Sequence, residues 1–272
     1  MDIYQLIVLP IIGVGVATLG TLVGLGGGFI LVPILLVLFP NASPSTIASI
    51  SLTVVLLNAI SATIGNYRAR LIDFKTVALL AVGAVPAAVV GAVVSGRVTR
   101  STFDLAMGVM LVFGSAYVVW RGYRATPLVA DPAITPNRLI RERNGTIHRF
   151  YVNTLTAVGL SPASGFMSSF FGIGGGVINV PAMTFILKMP SRVIAPTAML
   201  LLVLTSSSSL ATRILTNQYQ EGWERAALLG IGALIGAQVG VYLSSRVNQK
   251  VVLIFLAISM ALVGIRQIIL GI

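Results

Sequence analysis

A ten-residue phrase rich in glycine occurs twice in the sequence, and the two copies lie 148 residues apart. The first copy runs from Gly24 to Pro33 and the second from Gly172 to Pro181, with seven of the ten positions identical. Both copies lie inside long apolar stretches, where consecutive glycines interrupt a helix and leave backbone polar groups that hydrocarbon does not satisfy. Two broken helices at matching positions of two halves indicate the binding site of a secondary transporter.

The composition excludes a soluble globular domain. Of the 272 residues, 56% are hydrophobic and 9% are charged, and the mean hydropathy is +0.98, which is typical of a polytopic membrane protein. The net charge is +11, but the basic residues lie between apolar spans, so they predict orientation in a membrane and no nucleic-acid partner. Cysteine is absent, which excludes disulfides and thiolate metal sites. The first residues lack the basic segment of a cleaved signal peptide.

The apolar segments form two similar sets of five. They are 3–23, 29–39, 45–65, 76–95, 102–120, 150–171, 177–187, 193–213, 226–244 and 251–271. Most reach the roughly 20 residues that span hydrocarbon, whereas 29–39 and 177–187 are about half that length. We predict an all-α polytopic membrane protein with two inverted repeats, each with a broken Gly-rich hairpin and three transmembrane helices. The repeats occupy 1–120 and 150–272, and 121–149 is a cytoplasmic linker.

The orientation of the second repeat depends on how many segments cross the membrane. If all five segments of a half cross, the odd number inverts the second copy. With the linker inside, 13 of the 18 Lys and Arg residues lie inside and 5 outside, which fits both termini outside. If 29–39 and 177–187 return without crossing, the repeat is parallel and the count becomes 12 to 6. The charges favour inversion, and the path of the short segments stays open.

The linker contains six arginines and, at its end, His148. We interpret the arginines as determinants of topology, with anionic lipid headgroups or a soluble partner as alternatives. His148 has no carboxylate or Cys neighbours in the sequence, so we interpret it as an interfacial residue and expect no metal site.

The glycine clusters predict a cradle for an anion. Free backbone N–H groups there lead into helix N-termini, where the positive end of the macrodipole favours negative charge. The glycines concerned are Gly26, Gly27, Gly28, Gly174, Gly175 and Gly176. The alternative is close packing of small residues between membrane helices. Pro33 and Pro181 are expected to fix kinks in the helices that follow.

Polar side chains within the apolar spans are further candidates for contact with substrate. They are Thr53, Asn58, Asn179, Ser206, Ser207 and Arg213. The two amides are favoured because a side-chain amide in hydrocarbon needs a partner, and Asn58 aligns with Ser207. Back-bonding to the preceding helical turn is an equal alternative for each hydroxyl. Arg213 lies at the end of its span. We interpret it either as a residue that attracts anions in an outer vestibule or as a snorkelling residue at the membrane interface.

Catalysis is not indicated by any motif. The sequence contains no His-Glu-x-x-His and no Gly-x-Ser-x-Gly, and its seven acidic residues fall in loops or near segment ends. The glycine clusters lack the Lys-Ser/Thr of a nucleotide-binding loop. We therefore expect no enzyme activity, no cofactor and no metal.

Several features together resemble the sulfite exporter TauE/SafE family of membrane permeases. They are the two Gly-x-Gly-Gly-Gly-x-x-x-x-Pro phrases, the polar span 48–53 that runs on to Gly65-Asn66-Tyr67-Arg68, and the Asp73 that follows. The likeness covers about 3–120 and 160–271. It implies a permease of the cytoplasmic membrane for sulfur-containing oxyanions or organosulfonates such as sulfite, sulfoacetate or sulfolactate. The second half departs from the first after its polar span, where Asn66 and Tyr67 align with Leu215 and Thr216.

These observations favour a secondary transporter that moves a small sulfur-containing anion across the inner, cytoplasmic membrane by alternating access. A passive anion channel of the same architecture and a non-transporting membrane scaffold are the rival hypotheses. The expected partners are the anion, membrane lipid and a second copy of the chain in a homodimer.

Overall fold

The computed structural model describes residues 3–124, 136–244 and 249–271. The α-helices within these ranges are, in chain order, α1 Ile3–Val23, α2 Gly28–Leu38, α3 Pro44–Ala69, α4 Phe74–Ser95, α5 Arg100–Arg124, α6 Thr154–Phe171, α7 Gly176–Pro181, α8 Ser191–Leu215, α9 Trp223–Ser244 and α10 Gln249–Gly271. A π-helical segment, Ala182–Ile186, continues α7. Among the described helices, α1, α3, α4, α8 and α9 are long and apolar enough to cross a membrane. The predicted all-α polytopic class is confirmed.

Three longer helices, α3, α4 and α6, begin at side-chain caps, and the two short helices do not. Ser43 accepts a hydrogen bond at the start of α3, Asp73 at the start of α4 and Asn153 at the start of α6. The N-cap residues of α2 and α7 are Gly27 and Gly175, which have no side chain to offer. Both adopt positive φ, 82° and 58°, as glycine readily does. The short helices therefore begin with N–H groups that no cap satisfies.

The pair α1–α2 forms a hairpin that returns to the end of the molecule where it began. Gln5 of α1 lines a cavity of about 570 Å³ together with Trp223, the first residue of α9. The guanidinium of Arg225 lies 4.0 Å from the ring centroid of Phe39, which follows α2. The start of α1 and the end of α2 thus lie together, at what we call the Trp223 end.

The pair α6–α7 forms the equivalent hairpin at the opposite end. Arg138 Nε lies 3.5 Å from Asp73 Oδ2, and the neighbouring Asn137 donates to Val152 O, just before α6. The Asp73 N–H donates to Thr197 Oγ1 near the start of α8. The start of α6 and the chain leaving α7 therefore meet at the Asp73 end, separated from the Trp223 end by the length of α3. Each short segment thus runs back to the end of the molecule where the helix before it begins. This is the path of a segment that crosses, and not of one that turns back without crossing.

Corresponding helices of the two halves have corresponding packing partners. α1 packs against α9 as α6 packs against α4, and α3 packs against α9 as α8 packs against α4. The pairs α5–α10 and α3–α8 map onto themselves. Each half thus has a returning hairpin and three further helices, an odd number, which is the arrangement that an inverted repeat requires. The orientation of the halves in a bilayer stays a prediction.

The linker contains a β-hairpin that the sequence analysis did not predict. Strand β1, Arg138–Arg141, pairs antiparallel with β2, Ile147–Phe150. The turn includes Asn144-Gly145 with a φ of 91° at the glycine, a dipeptide that favours hairpins. Residues 125–135 of the predicted linker lie outside the described residues.

The hairpin also changes the interpretation of His148. Its Nε2 lies 2.7 Å from Glu142 Oε1, so the expectation of no carboxylate neighbour is wrong. The turn brings the two residues together although the sequence separates them. Within the described residues, no group of three or more His, Cys, Asp or Glu side chains is arranged to hold a metal ion.

Candidate functional site

The two glycine clusters meet inside the helix bundle. We call 24–28 the first tip and 172–176 the second tip; every residue in them is buried. A β-carbon built on Gly28 would lie 2.6 Å from the carbonyl oxygen of Ile173, and one built on Gly176 would overlap Leu25. Gly28 corresponds to Gly176 and Leu25 to Ile173, so the contact is reciprocal. Only residues without a side chain permit the two backbones to approach this closely.

Helices α3 and α8 cross beside the tips. A β-carbon built on Gly26 or on Gly174 would meet the side chains of both Val55 and Leu202. This shared contact sets the alignment of α3 with α8 at an offset of 147 residues. Asn58 therefore corresponds to Thr205 and not to Ser207, which corrects the predicted alignment.

Asn58 holds the first tip in place. It is fully buried, and its Nδ2 donates to Gly26 O at 3.0 Å. Its Oδ1 accepts from Thr21 Oγ1 at 2.8 Å. The expectation that a buried amide has a partner is confirmed, but the partners are the tip and α1. Because both amide atoms already have partners, Asn58 is a scaffold residue in this arrangement.

Matching N–H groups of the two tips have no acceptor among the described residues. They belong to Gly27 and Gly175 in the tips and to Phe29 and Val177, which directly follow the tips. These are the free donors that the predicted cradle requires. Their use by an anion stays a prediction.

Arg213 lies in the interior, which corrects its placement in an outer vestibule or at the interface. It is 0% exposed. Its Nη2 donates to Ser95 Oγ and to Ser169 O, both at 2.7 Å, and its Nη1 lies 3.4 Å from Ser45 O. The last turns of α8 run between α3, α4 and α6, so the side chain has no route to the surface.

The charge of Arg213 has no carboxylate partner within the described part of the chain. Its hydrogen-bond acceptors are a hydroxyl and two carbonyl oxygens, and its Nε is buried without an acceptor. Neutral oxygens satisfy donors but do not cancel charge. The interior therefore contains an uncompensated cation, which is costly unless an anion joins it.

The other predicted hydroxyls differ in their placement. Ser206 is fully buried, and no described residue pairs with its Oγ. It lies seven residues before Arg213, on the same helix face. Ser207 is exposed, so its predicted contact with substrate is not supported; adjacent residues of a helix point about 100° apart. Thr53 Oγ1 donates to Ser49 O at 2.9 Å and lies 3.3 Å from the hydroxyl of Tyr219, toward the Trp223 end.

Asn179 lies at the second tip beside a residue that the sequence analysis missed, Ser168. A β-carbon built on Gly175 would lie 3.1 Å from Ser168 Oγ and 3.2 Å from Asn179 Nδ2. The signal was present in the repeat, because Ser168 aligns with Gly20 at the same offset of 148 residues. The extension of the alignment into α1 and α6 would have revealed it.

The two prolines occupy different settings. Pro33 lies within α2 and is buried, while Pro181 is the last residue of α7 before the π-helical segment. The α-to-π change directly after Pro181 agrees with a structural function for this residue, since π-turns accompany disrupted backbone hydrogen bonding.

Two returning hairpins with broken tips that meet among membrane-spanning helices define a multi-pass membrane transport protein. Three curated relatives agree with this class, since each is named a probable membrane transporter protein. YunE of Bacillus subtilis is 26% identical over 98% of both chains, and MJ0441 of Methanocaldococcus jannaschii is 25% identical over 96% of this chain and 95% of the relative. A protein of Xylella fastidiosa is 24% identical over 84% of this chain and 81% of the relative.

The family follows from a match to nearly the whole chain. The model of the family described as sulfite exporter TauE/SafE matches residues 9–267, and the chain belongs to this family. The resemblance found in the glycine phrases is thereby confirmed. No solved structure gives a significant match.

Proposed function

We propose that this transporter moves a small sulfur-containing anion, such as sulfite or an organosulfonate like sulfoacetate, across the inner membrane. The observation that carries the proposal is the buried guanidinium of Arg213, which has only neutral oxygens as partners among the described residues. An anion beside it removes the cost of an isolated buried charge, whereas a cation raises that cost. The site therefore selects negative charge.

The buried acidic side chains do not offset this charge, because they lie near helix starts and have partners there. Asp73 caps α4 and lies 3.5 Å from Arg138, and Asp104 Oδ2 lies 2.8 Å from Arg100 Nε. Neither is placed as a proton carrier between the tips. The membrane potential supplies about 2.3 kcal/mol per charge per 100 mV, and an inside-negative potential favours outward movement of an anion.

Alternating access fits the way the two hairpins meet. They approach from opposite ends of the bundle, and the contacts of Gly28 with Ile173 and of Gly176 with Leu25 close the space between them. If the halves are inverted repeats, rocking of one against the other opens this contact first toward one side and then toward the other.

Transport by purified protein in proteoliposomes tests the proposal. Vesicles with an imposed potential are supplied with sulfite, sulfoacetate, chloride or sodium, with protein-free vesicles as the control. We expect accumulation of a sulfur anion above its external concentration when the potential is positive inside. A channel would also accumulate the anion under this potential, so uptake of labelled sulfite is measured at zero potential with unlabelled sulfite preloaded inside. Acceleration of uptake by the preloaded anion marks a carrier, uptake without acceleration would indicate the rival channel, and flux of sodium without any anion would overturn the proposal.

A further inference from the structure

We infer that the two tips have different functions: the second tip, with Ser168 and Asn179, binds the oxygens of the anion, and the first tip is a scaffold. This inference rests on the proposed function. It assigns to Ser168 and Asn179 the selection of an oxyanion, such as a sulfite or sulfonate group, over a spherical anion.

At the first tip, the N–H groups of Gly27 and Phe29 have no acceptor among the described residues, but several other polar groups have partners within the protein. Gly20 O accepts the N–H groups of Leu25 and Gly26, at 2.8 and 3.2 Å. Gly26 O accepts from Asn58. The residue that matches Asn179 in this half is Leu31, which is fully buried. Side chains around the first tip thus leave no donor for a ligand beyond the backbone.

The second tip has unused polar side chains at the matching positions. Ser168 is 0% exposed, and its Oγ has no hydrogen-bond partner among the residues that the structure describes. Asn179 is 3% exposed, and the structure gives its amide no partner within the described residues. Buried polar groups are almost always paired in folded proteins. The unpaired hydroxyl of Ser168 and the Nδ2 of Asn179 both lie beside Gly175, and this arrangement indicates a ligand that accepts hydrogen bonds from both.

A positive charge contacts the backbone of the residue next to Ser168. Arg213 Nη2 donates at 2.7 Å to the carbonyl of Ser169, the residue after Ser168, and the Oγ of Ser169 is also buried without a partner. A hydroxyl, an amide and the N–H of Gly175 are separate donors that suit a group with several oxygens. The charge attracts an anion, and the donors distinguish its shape.

The test replaces each side chain and measures apparent KM in proteoliposomes for sulfite, sulfoacetate and chloride. The variants are S168A, N179L and the double variant. N179L introduces leucine because Leu31 is the residue at the matching position of the first half. S164A is the matched control, because Ser164 lies one turn earlier, is buried, and its Oγ donates to Ser161 O at 2.8 Å. We expect KM for the sulfur anions to rise about ten-fold to a hundred-fold in each single variant. Any chloride flux is expected to keep the wild-type KM.

A second readout separates binding from folding. We expect sulfite to raise the melting temperature of the wild-type protein. We expect S168A and N179L to melt like S164A without sulfite but to lose this increase. If the wild type transports a sulfur anion and both variants retain its KM, the inference is wrong while the proposed function stands. If the wild type transports none of the anions, the proposed function itself fails.

Discussion

The first and second tips share most of their sequence and the same backbone turns, but their surroundings differ. Gly20 and Leu31 pack beside the first tip and Asn58 bonds to it, whereas at the second tip the Ser168 hydroxyl is unpaired among the described residues and Asn179 Nδ2 lies beside Gly175. The glycine backbone produces the break in each helix, and the neighbouring side chains decide what the break does. Duplication can thus preserve a geometry while its two copies divide scaffold and binding functions between them.

The contact between the tips is the feature they share, and its loss has the largest expected effect. We expect G28V and G176V each to destabilise the protein by about 1–3 kcal/mol and to abolish transport, because a side chain at either position displaces the opposite backbone. Transport and melting temperature are measured beside G15V and G159V, where nothing lies within 4 Å of a built β-carbon. Normal transport by G176V would show that the tips need not touch.

The charge beside the second tip has the next largest expected effect. We expect R213Q to weaken the apparent affinity for sulfite roughly 100-fold, because it removes the charge that the anion neutralises. R213K is the matched variant: it keeps the charge but loses the fixed pair of Nη2 hydrogen bonds, so its affinity is expected between those of R213Q and the wild type. An R213Q protein with wild-type affinity would remove the main support for an anion.

Exchange of each tip's amide for leucine compares the two functions directly. We expect N58L to lower the free energy of unfolding by about 2 kcal/mol, because Gly26 O and Thr21 Oγ1 lose their partner. N179L is expected to keep the stability and lose the affinity. Chemical unfolding and sulfite titration of both variants provide the comparison, and equal loss of stability in the two would contradict the division of functions.

Thr53 has the smallest expected effect, although the sequence placed it in the site. Its Oγ1 donates a hydrogen bond to Ser49 O and lies 3.3 Å from the Tyr219 hydroxyl. Burial raises the pKa of Tyr219, so its hydroxyl stays protonated at neutral pH. We expect T53V to lose about 0.5–1 kcal/mol of stability with less than a two-fold change in KM for sulfite. A ten-fold change in KM would return Thr53 to the binding site.

Much of the fold could be predicted because it depends on local signals. The glycine breaks, the apolar lengths and the repeat offset indicated two short helices, which begin within one residue of the predicted positions. Each short helix runs back to the end of the molecule where the helix before it begins. This direction was not predictable, because a segment of 11 residues can either cross or turn back without crossing. The hairpin in the linker was missed, although Asn144-Gly145 is a recognisable turn signal.

The candidate site was predicted less well, since its residues are brought together by packing between helices. The burial of Arg213 depends on α3, α4 and α6, and the exposure of Ser207 depends on the rotation of α8 about its axis. A hydrophobic sequence contains little information on that rotation, because lipid and neighbouring helices are both apolar. Ser168 was missed because the alignment of the halves was not extended into the helices that precede the tips.

The most direct test of the division between the tips is the position of a bound anion. Crystals of the protein grown with selenite, an anomalously scattering analogue of sulfite, would locate the selenium atom independently of any model of transport. We expect one anomalous peak within about 4 Å of Ser168 Oγ and Asn179 Nδ2, where selenite oxygens reach both donors. A peak beside Gly27 and Leu31 with none beside Gly175 would contradict the assignment of the second tip as the binding tip.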